Sequence, residues 1–496
     1  MAAAHNWSAG RPVNRRRFLS DLGMGFTGTV LGTMLFEDGI AKEPAAAAKA
    51  PAKNVIWLFM LGGASHIETF DPKPALTKYA DKTIAETPFE KVIREPRVTK
   101  NFRMFAGSAR LATKILRPQV GFQKRGKCGT EVCDWLPHVG GCADDIAVVR
   151  SLWTTDFSHT SQMLFHTGRI IIDGREPCLG SWAHYGLGTL NRDLPKFVVM
   201  GRPPSDFGGG YASHQASSLG PEYDGVPIEV EPDRAVPYPP RGKGLTREAQ
   251  KAEFELVGEL NRMAAVEYPA DPQLQARIKS YELAFRMQAS LPDLVSLNDE
   301  TRETKALYGL DDAVTAPFGR QCLAARKLVE RGVRFVQIYH GGAADDDNGL
   351  WDSHQELRRL TAQRCREVDQ PIAGLLKDLK RRGMLDSTLV VWATEFGRTP
   401  NVEPRPDGEK DSEELRGRDH HIYGFSCWLA GGGIKGGVVH GATDEIGFHA
   451  VEDRHYVTDI HATILHQLGL SPQKLELPGR RRLDLERGKP ITEIIA

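Results

Sequence analysis

Val55-Ile56-Trp57-Leu58-Phe59-Met60-Leu61 is an unbroken apolar run that stops on Gly62-Gly63. A strand with one wet face alternates apolar and polar residues. A strand without that alternation is covered on both faces, the usual condition of a parallel strand between layers of helices. Similar runs recur at Ile146–Val149, Phe197–Met200, Val333–Tyr339, Thr388–Ala393 and Ser426–Leu429. Between them lie amphipathic helical patterns, Gln321–Arg331 before Gly332 and Gln363–Arg382 before Gly383. This alternation predicts an α/β fold, a doubly wound and mainly parallel sheet sandwiched by helices. One domain is expected over residues 50–496. Residues 205–320, loop-rich and then charged and helical (Asp271–Met287 is clearest), read as an insertion over one end of the sheet.

The N-terminus carries a different signal. Asn14-Arg15-Arg16-Arg17-Phe18-Leu19 sets paired arginines before a moderately apolar stretch, Leu22–Phe36, closed by Glu37 and Asp38. That stretch is short for a bilayer span, and small residues suited to a signal peptidase follow at Ala41 and Ala45–Ala50. Residues 1–45 therefore read as a twin-arginine signal peptide, with an uncleaved basic anchor as the alternative. The expectation is a periplasmic or secreted protein that meets the twin-arginine export machinery and keeps no stable membrane span after cleavage. Lys plus Arg equals Asp plus Glu at 64 each, which argues against a nucleic-acid or anionic-membrane binder. Seven cysteines are too few for a disulfide scaffold, although one pairing among Cys128, Cys133 and Cys142 is conceivable in an oxidising compartment.

In open α/β sheets, ligands sit at the carboxyl ends of the strands, so the residues that follow each apolar run are the candidates. After the first run comes His66, with Glu68 and Asp71 beyond it. After Ile146–Val149 come Ser158, His159 and Ser161. Ser158 at a strand-to-helix turn could be a nucleophile activated by a metal or by His159, or either serine could only cap the helix. After Val333–Tyr339 come His340, an acidic loop (Asp345–Asp347), and then Asp352 and His354, spaced so that both can face one metal. After Thr388–Ala393 come Glu395 and Arg398, charges at the end of a core strand that must be paired or bound to a cation. Arg416, Arg418, His420 and His421 precede the last run and offer imidazole beside cations that could hold an anion.

Asn54–Asp71 (NVIWLFMLGGASHIETFD), ADDIAVVRSLWTT, WDSHQE, ATEFGRTP, GRDHHIYGFSCWLAGGGIKGG and TDIHATILHQLGL, in that order, resemble the domain-of-unknown-function family 1501. That family is grouped with the alkaline phosphatase and sulfatase superfamily. The resemblance implies an alkaline phosphatase-like sandwich, a divalent metal (zinc, calcium or magnesium, one or two ions) and cleavage of phosphate or sulfate esters. It implies Asp352, His354 and His420 as ligands of one metal, Glu395 in the place of a second-metal Asp, and Ser158 as nucleophile. Two positions depart from the pattern. Glycines replace the first-strand Asp, leaving His66 as the nearest substitute ligand, and Phe396 replaces a His. Cys322–Arg326 (CLAAR) has the letters of a sulfatase motif but falls inside a helical pattern, so it reads as a chance match.

The expected function is thus an exported metal-dependent hydrolase acting on a small-molecule or polysaccharide anionic ester. Ser158, His159 and Arg398 are the catalytic candidates; Asp352, His354, Glu395, His420 and His66 are the metal candidates; Arg418 and His421 are expected to bind substrate. The alternative is a non-catalytic binding or scaffold protein on a degenerate fold. A nucleotide-binding oxidoreductase lacks support, because Gly431–Gly437 has neither GxGxxG spacing nor a following helical pattern.

Overall fold

The opening apolar run forms β1 (Asn54–Met60), and all seven of its residues are buried. The computed structural model describes the chain from Ala50 to Ala496 apart from 102–111, 171–173, 192–193, 205–207, 231–248, most of 250–295, 342–349, 405–411 and 477–483. The signal at 1–45, the helix expected over Asp271–Met287 and the acidic loop Asp345–Asp347 lie outside the described residues.

The strands of the central sheet and of the ribbon beside the site are, besides β1, β2 (Ile146–Trp153), β3 (Phe197–Met200), β4 (Val226–Pro227), β5 (Phe335–His340), β6 (Thr388–Thr394), β7 (Gly397–Arg398), β8 (His420–His421), β9 (Phe425–Ala430), β10 (Val438–His440) and β11 (His455–Tyr456). The central sheet runs β10-β2-β9-β6-β1-β5-β3-β4, with β11 also on β2, while β7 and β8 form a separate ribbon. β1 is parallel to both neighbours, with Met60 opposite His340 of β5 and Thr394 of β6. These three strands therefore end level, and the chain leaves all of them at the same edge. β9 departs from the parallel expectation, since it runs antiparallel to both β2 and β6. Its residues are all buried, and burial on both faces gives a continuous apolar run whichever way the strand points. Within the stretch read as an insertion, Val226–Pro227 joins the sheet as its outermost strand.

Helices cover both faces. They are α1 (Ser161–Thr167), α2 (Leu179–Leu187), α3 (Ala316–Glu330), α4 (Leu357–Arg381) and α5 (Val457–Gln467). Successive strand side chains point to opposite faces. Ile56, Leu58 and Met60 of β1 share a core with Leu323 and Leu328 of α3 and Val368, Ile372 and Leu376 of α4. Trp57 and Phe59 face the other way, onto Phe165 and His166 of α1 and His461 of α5. Burying a side chain of this size contributes about 1.5–3 kcal/mol, so the sandwich fixes the level strand ends firmly. No helix among the described residues is long and apolar enough to cross a membrane.

The CLAAR letters belong to this packing. Cys322 is fully buried in α3, where burial raises its thiol pKa far above the ordinary value. Arg326 is engaged by Glu300, Glu330 (2.7 Å) and Asp378 (3.0 Å). All seven cysteines are free thiols, so the conceivable pairing among Cys128, Cys133 and Cys142 is not formed.

Candidate metal centre

The segments that leave β1, β5 and β6 converge just past the strand ends. The Trp351 amide donates to the Leu61 carbonyl (2.8 Å), which brings the chain after β5 back across the end of β1. A Cβ on Gly62 (φ 109°) would lie 2.7 Å from the Asp352 nitrogen, and one on Gly63 (φ 81°) would lie 2.3 Å from the Phe396 ring. Both positions need glycine. What the double glycine admits is the backbone of Asp352 and the Phe396 ring, so that Asp352 sits directly over β1.

Three imidazoles meet Asp352. His159 Nε2 lies 2.9 Å from Oδ2, while His354 Nε2 and His420 Nε2 lie 2.9 and 3.1 Å from Oδ1. The Nε2 atoms of His354 and His420 are 3.0 Å apart. One ligand atom from each of the four residues lies within 4.8 Å of all the others. The opposite nitrogen of each ring is held by an oxygen: His159 Nδ1 by Glu395 Oε1 (3.1 Å), His354 Nδ1 by Glu403 Oε2 (2.6 Å) and His420 Nδ1 by the Phe157 carbonyl (2.7 Å). An oxygen acceptor on Nδ1 fixes the proton there and leaves the Nε2 lone pair for a metal. All three Nε2 atoms aim at one carboxylate.

Glu395 is buried behind the centre, whereas Glu403 and the four central residues are part-exposed. Glu395 is fully buried, and its Oε1 also accepts from the Gly62 amide (2.8 Å) and Gln162 Nε2 (3.0 Å). Side-chain exposure across the four central residues is 15–33%. Burial opposes charge on His159, but its bonds to Asp352 and Glu395 outweigh that and raise it to about 9. His354 rises to about 9 against the same opposition, through Asp352 and Glu403. His420 is pushed down, chiefly by burial. Asp352 is held well below the usual carboxylate range: burial works the other way, but Arg398 and the three imidazoles prevail.

Of the catalytic and metal candidates, the structure brings together His159, Asp352, His354 and His420, with Glu395 one layer behind His159. Glu395 is a support for His159 and lies outside the group whose ligand atoms converge. His159 directs Nδ1 at Glu395 and Nε2 at Asp352, so neither nitrogen is directed at Ser158. Ser158 is half-buried one residue before it, its amide donating to Asp156 Oδ1 (3.0 Å). The expected serine cap is not made: Asp156 takes the Ser158 amide, and Ser161 Oγ donates instead to the Glu395 carbonyl (3.2 Å).

Four candidates are placed elsewhere. Arg398 is fully buried, donating through Nε to the Gly63 carbonyl (2.8 Å), through Nη1 to the Arg418 carbonyl (3.1 Å), and through Nη2 to Gly62 and Asp352. It positions Asp352 and has no face open to substrate. Arg418 is fully buried against Glu68 (2.8 Å), so it does not bind substrate here. His421 is buried on the Phe448 carbonyl and pushed down to about 3 by burial, and it too faces no solvent. His66 is buried, hydrogen-bonded through Nε2 to the Gly447 carbonyl (2.9 Å) and stacked on His421, and it does not join the cluster.

Glu403 and Gln162 were missed by sequence reading. Glu403 lies on an irregular segment after β7, where no periodicity marks it, and only its closeness in sequence to Arg398 hints at the site. A second group, His354, Glu403 and Asp419, also brings its ligand atoms within 4.8 Å.

The family model described as "Protein of unknown function (DUF1501)" matches residues 52–495. The chain belongs to this family. No curated protein matches it. Among solved structures, the chain is similar to the PsFucS1 sulfatase from Pseudoalteromonas sp., at 14% identity and TM-score 0.35 over 92% of this chain and 72% of that one. The lipoteichoic acid synthase LtaP from Listeria monocytogenes shows 8% identity and TM-score 0.35, over 92% and 81% of the two chains. A TAB5 alkaline phosphatase mutant with magnesium bound shows 13% identity and TM-score 0.31, over 85% and 99%. The chemistry of this family member rests on its own residues.

Proposed function

We propose that the chain is an exported, metal-dependent hydrolase of phosphate or sulfate esters, with one divalent ion held by His159, Asp352, His354 and His420. The observation that carries the reading is the convergence of three Nε2 atoms on one carboxylate, each ring fixed from behind by an oxygen. Three imidazoles and one carboxylate suit zinc or a similar transition ion, whereas calcium and magnesium call for oxygen-rich shells. The ion would polarise the ester oxygens and lower the pKa of the attacking hydroxyl.

The chain's own residues divide the remaining work. Arg398, Glu395 and Glu403 hold the ligands in place. Arg398 and Arg418 are committed inside the protein, so the charge of the ester group would have to be met by an ion held by His159, Asp352, His354 and His420. Ser158 is the proposed nucleophile: its Oγ bonds to phosphorus or sulfur, the ester oxygen leaves with a proton, and water then cleaves the seryl ester. Its support is its place beside His159. Export through the twin-arginine route is proposed from Arg15-Arg16 and the apolar stretch that follows, and retention of the Arg15→Lys, Arg16→Lys chain in the cytoplasm would check it.

The function is tested by supplying the zinc-loaded full chain with phosphate monoesters, phosphate diesters and sulfate esters. Turnover of at least one class is expected, abolished by Asp352→Ala and reduced about a thousandfold or more by Ser158→Ala. Stoichiometric metal with no turnover of any class would favour the binding or scaffold reading instead.

A further inference from the structure

We infer a second transition-metal site, formed by His440 and His455 at the edge of the sheet. β10 and β11 both pair with β2, one after the other along the same strand, with His440 opposite Val149 and His455 opposite Leu152. This arrangement turns the two imidazoles toward each other, with Nε2 atoms 2.9 Å apart and ring centroids 5.1 Å apart. None of the residues involved belongs to the centre around Asp352.

The tautomers follow from the partners. His455 Nδ1 donates to Asp459 Oδ2 (3.1 Å), and Asp459 is itself fixed through Oδ1 by the Lys489 amide (2.8 Å). His455 therefore carries its proton on Nδ1 and presents the Nε2 lone pair, the carboxylate–histidine arrangement that precedes a metal. His440 then supplies the one proton between the two rings. Moving that proton to Nδ1 of His440 leaves two facing lone pairs without a change of charge. Zinc–nitrogen bonds of about 2.0–2.1 Å in a tetrahedral shell set the two nitrogens roughly 3.3 Å apart, so the rings need to separate by only a few tenths of an ångström. Burial and the neighbouring His455 hold His440 below its ordinary pKa.

Water would complete the shell, because among the described residues no third His, Cys, Asp or Glu brings a ligand atom within 4.8 Å of both facing nitrogens. Zinc, nickel or copper suits imidazole of this kind better than calcium or magnesium does. Such an ion ties β10 and β11 to each other at one edge of the sheet.

The test is equilibrium dialysis of the full chain against zinc alone. In an Asp352→Ala, His354→Ala background, one equivalent of zinc should remain, and adding His440→Ala with His455→Ala should remove it. Asp459→Asn should weaken that equivalent about 10–100-fold, the usual effect of losing a carboxylate behind a ligating imidazole. Should the background variant fail to fold, His440→Gln in the otherwise unchanged chain should lower the zinc count by one. The inference is overturned if the equivalent survives loss of both histidines, or if the folded background variant binds no zinc. Failure of the first centre would look different, with His440→Gln lowering the count while Asp352→Ala leaves it unchanged.

Discussion

Two polar networks sit past the end of β1, within one side chain of each other, and they resolve in opposite ways. In the one around Arg418, the guanidinium meets Glu68 and the carbonyls of Thr399 (3.1 Å), Pro400 (2.8 Å) and Leu116 (3.1 Å), and both charged partners are wholly buried. His66 and His421 end on backbone carbonyls nearby. In the one around Asp352, each imidazole has an oxygen behind it and a second nitrogen directed at a shared point that solvent can reach. The residue types are the same. What separates structure from site is where the uncommitted lone pairs point, and Arg398 bridges the two by bonding both the Arg418 carbonyl and Asp352.

The comparison breaks most sharply at Asp352. Asp352→Ala should reduce bound metal at this centre to none and lower turnover by about a thousandfold or more, read by metal analysis beside kinetics. On the other side of the comparison, Arg418→Met leaves Glu68 buried without its partner. It should cost about 3–5 kcal/mol of stability, read by denaturant titration, with the metal count unchanged in the protein that remains folded.

Protons sharpen the contrast next. His159 and His354, both raised to about 9, must each lose a proton before their Nε2 atoms can bind an ion. Apparent metal affinity should therefore rise about 100-fold per pH unit between pH 6 and 8 and level off above 9, measured by competition with a chelator. The pKa of His421 is displaced the other way. Its folded pKa of about 3 lies below the ordinary value, so the unfolded chain binds the proton first, and stability falls as pH drops below about 6.5, by about 1.4 kcal/mol per unit. The smallest effect is expected behind the ligands, where Glu403→Gln should weaken metal binding about 10–100-fold while leaving the fold intact.

Much of the architecture was legible in the sequence because burial on both faces leaves a pattern that needs no partner to read. Strand direction was not, and β9 shows why: pairing direction is decided across the sheet, not along the chain. At the site, the strand ends marked Asp352, His354, Glu395 and His420 as neighbours. Which imidazole is a ligand turned on a single residue. His420 and His421 are adjacent in β8, opposite Arg398 and Gly397 of β7, and alternation sends them to opposite sides. One meets Asp352 and the other a core carbonyl. No spacing rule distinguishes them, just as none distinguishes Arg398 and Arg418, drawn into the interior, from cations left for an anion.

The central claim is that His159, His354 and His420 share one ion with Asp352. X-ray absorption at the zinc edge, on the full chain loaded with one equivalent and carrying His440→Gln, tests it directly. Three imidazole nitrogens and one carboxylate oxygen at about 2.0–2.2 Å are expected, with one imidazole lost in His159→Ala. A shell dominated by oxygen, or one that His159→Ala leaves unchanged, would contradict the account.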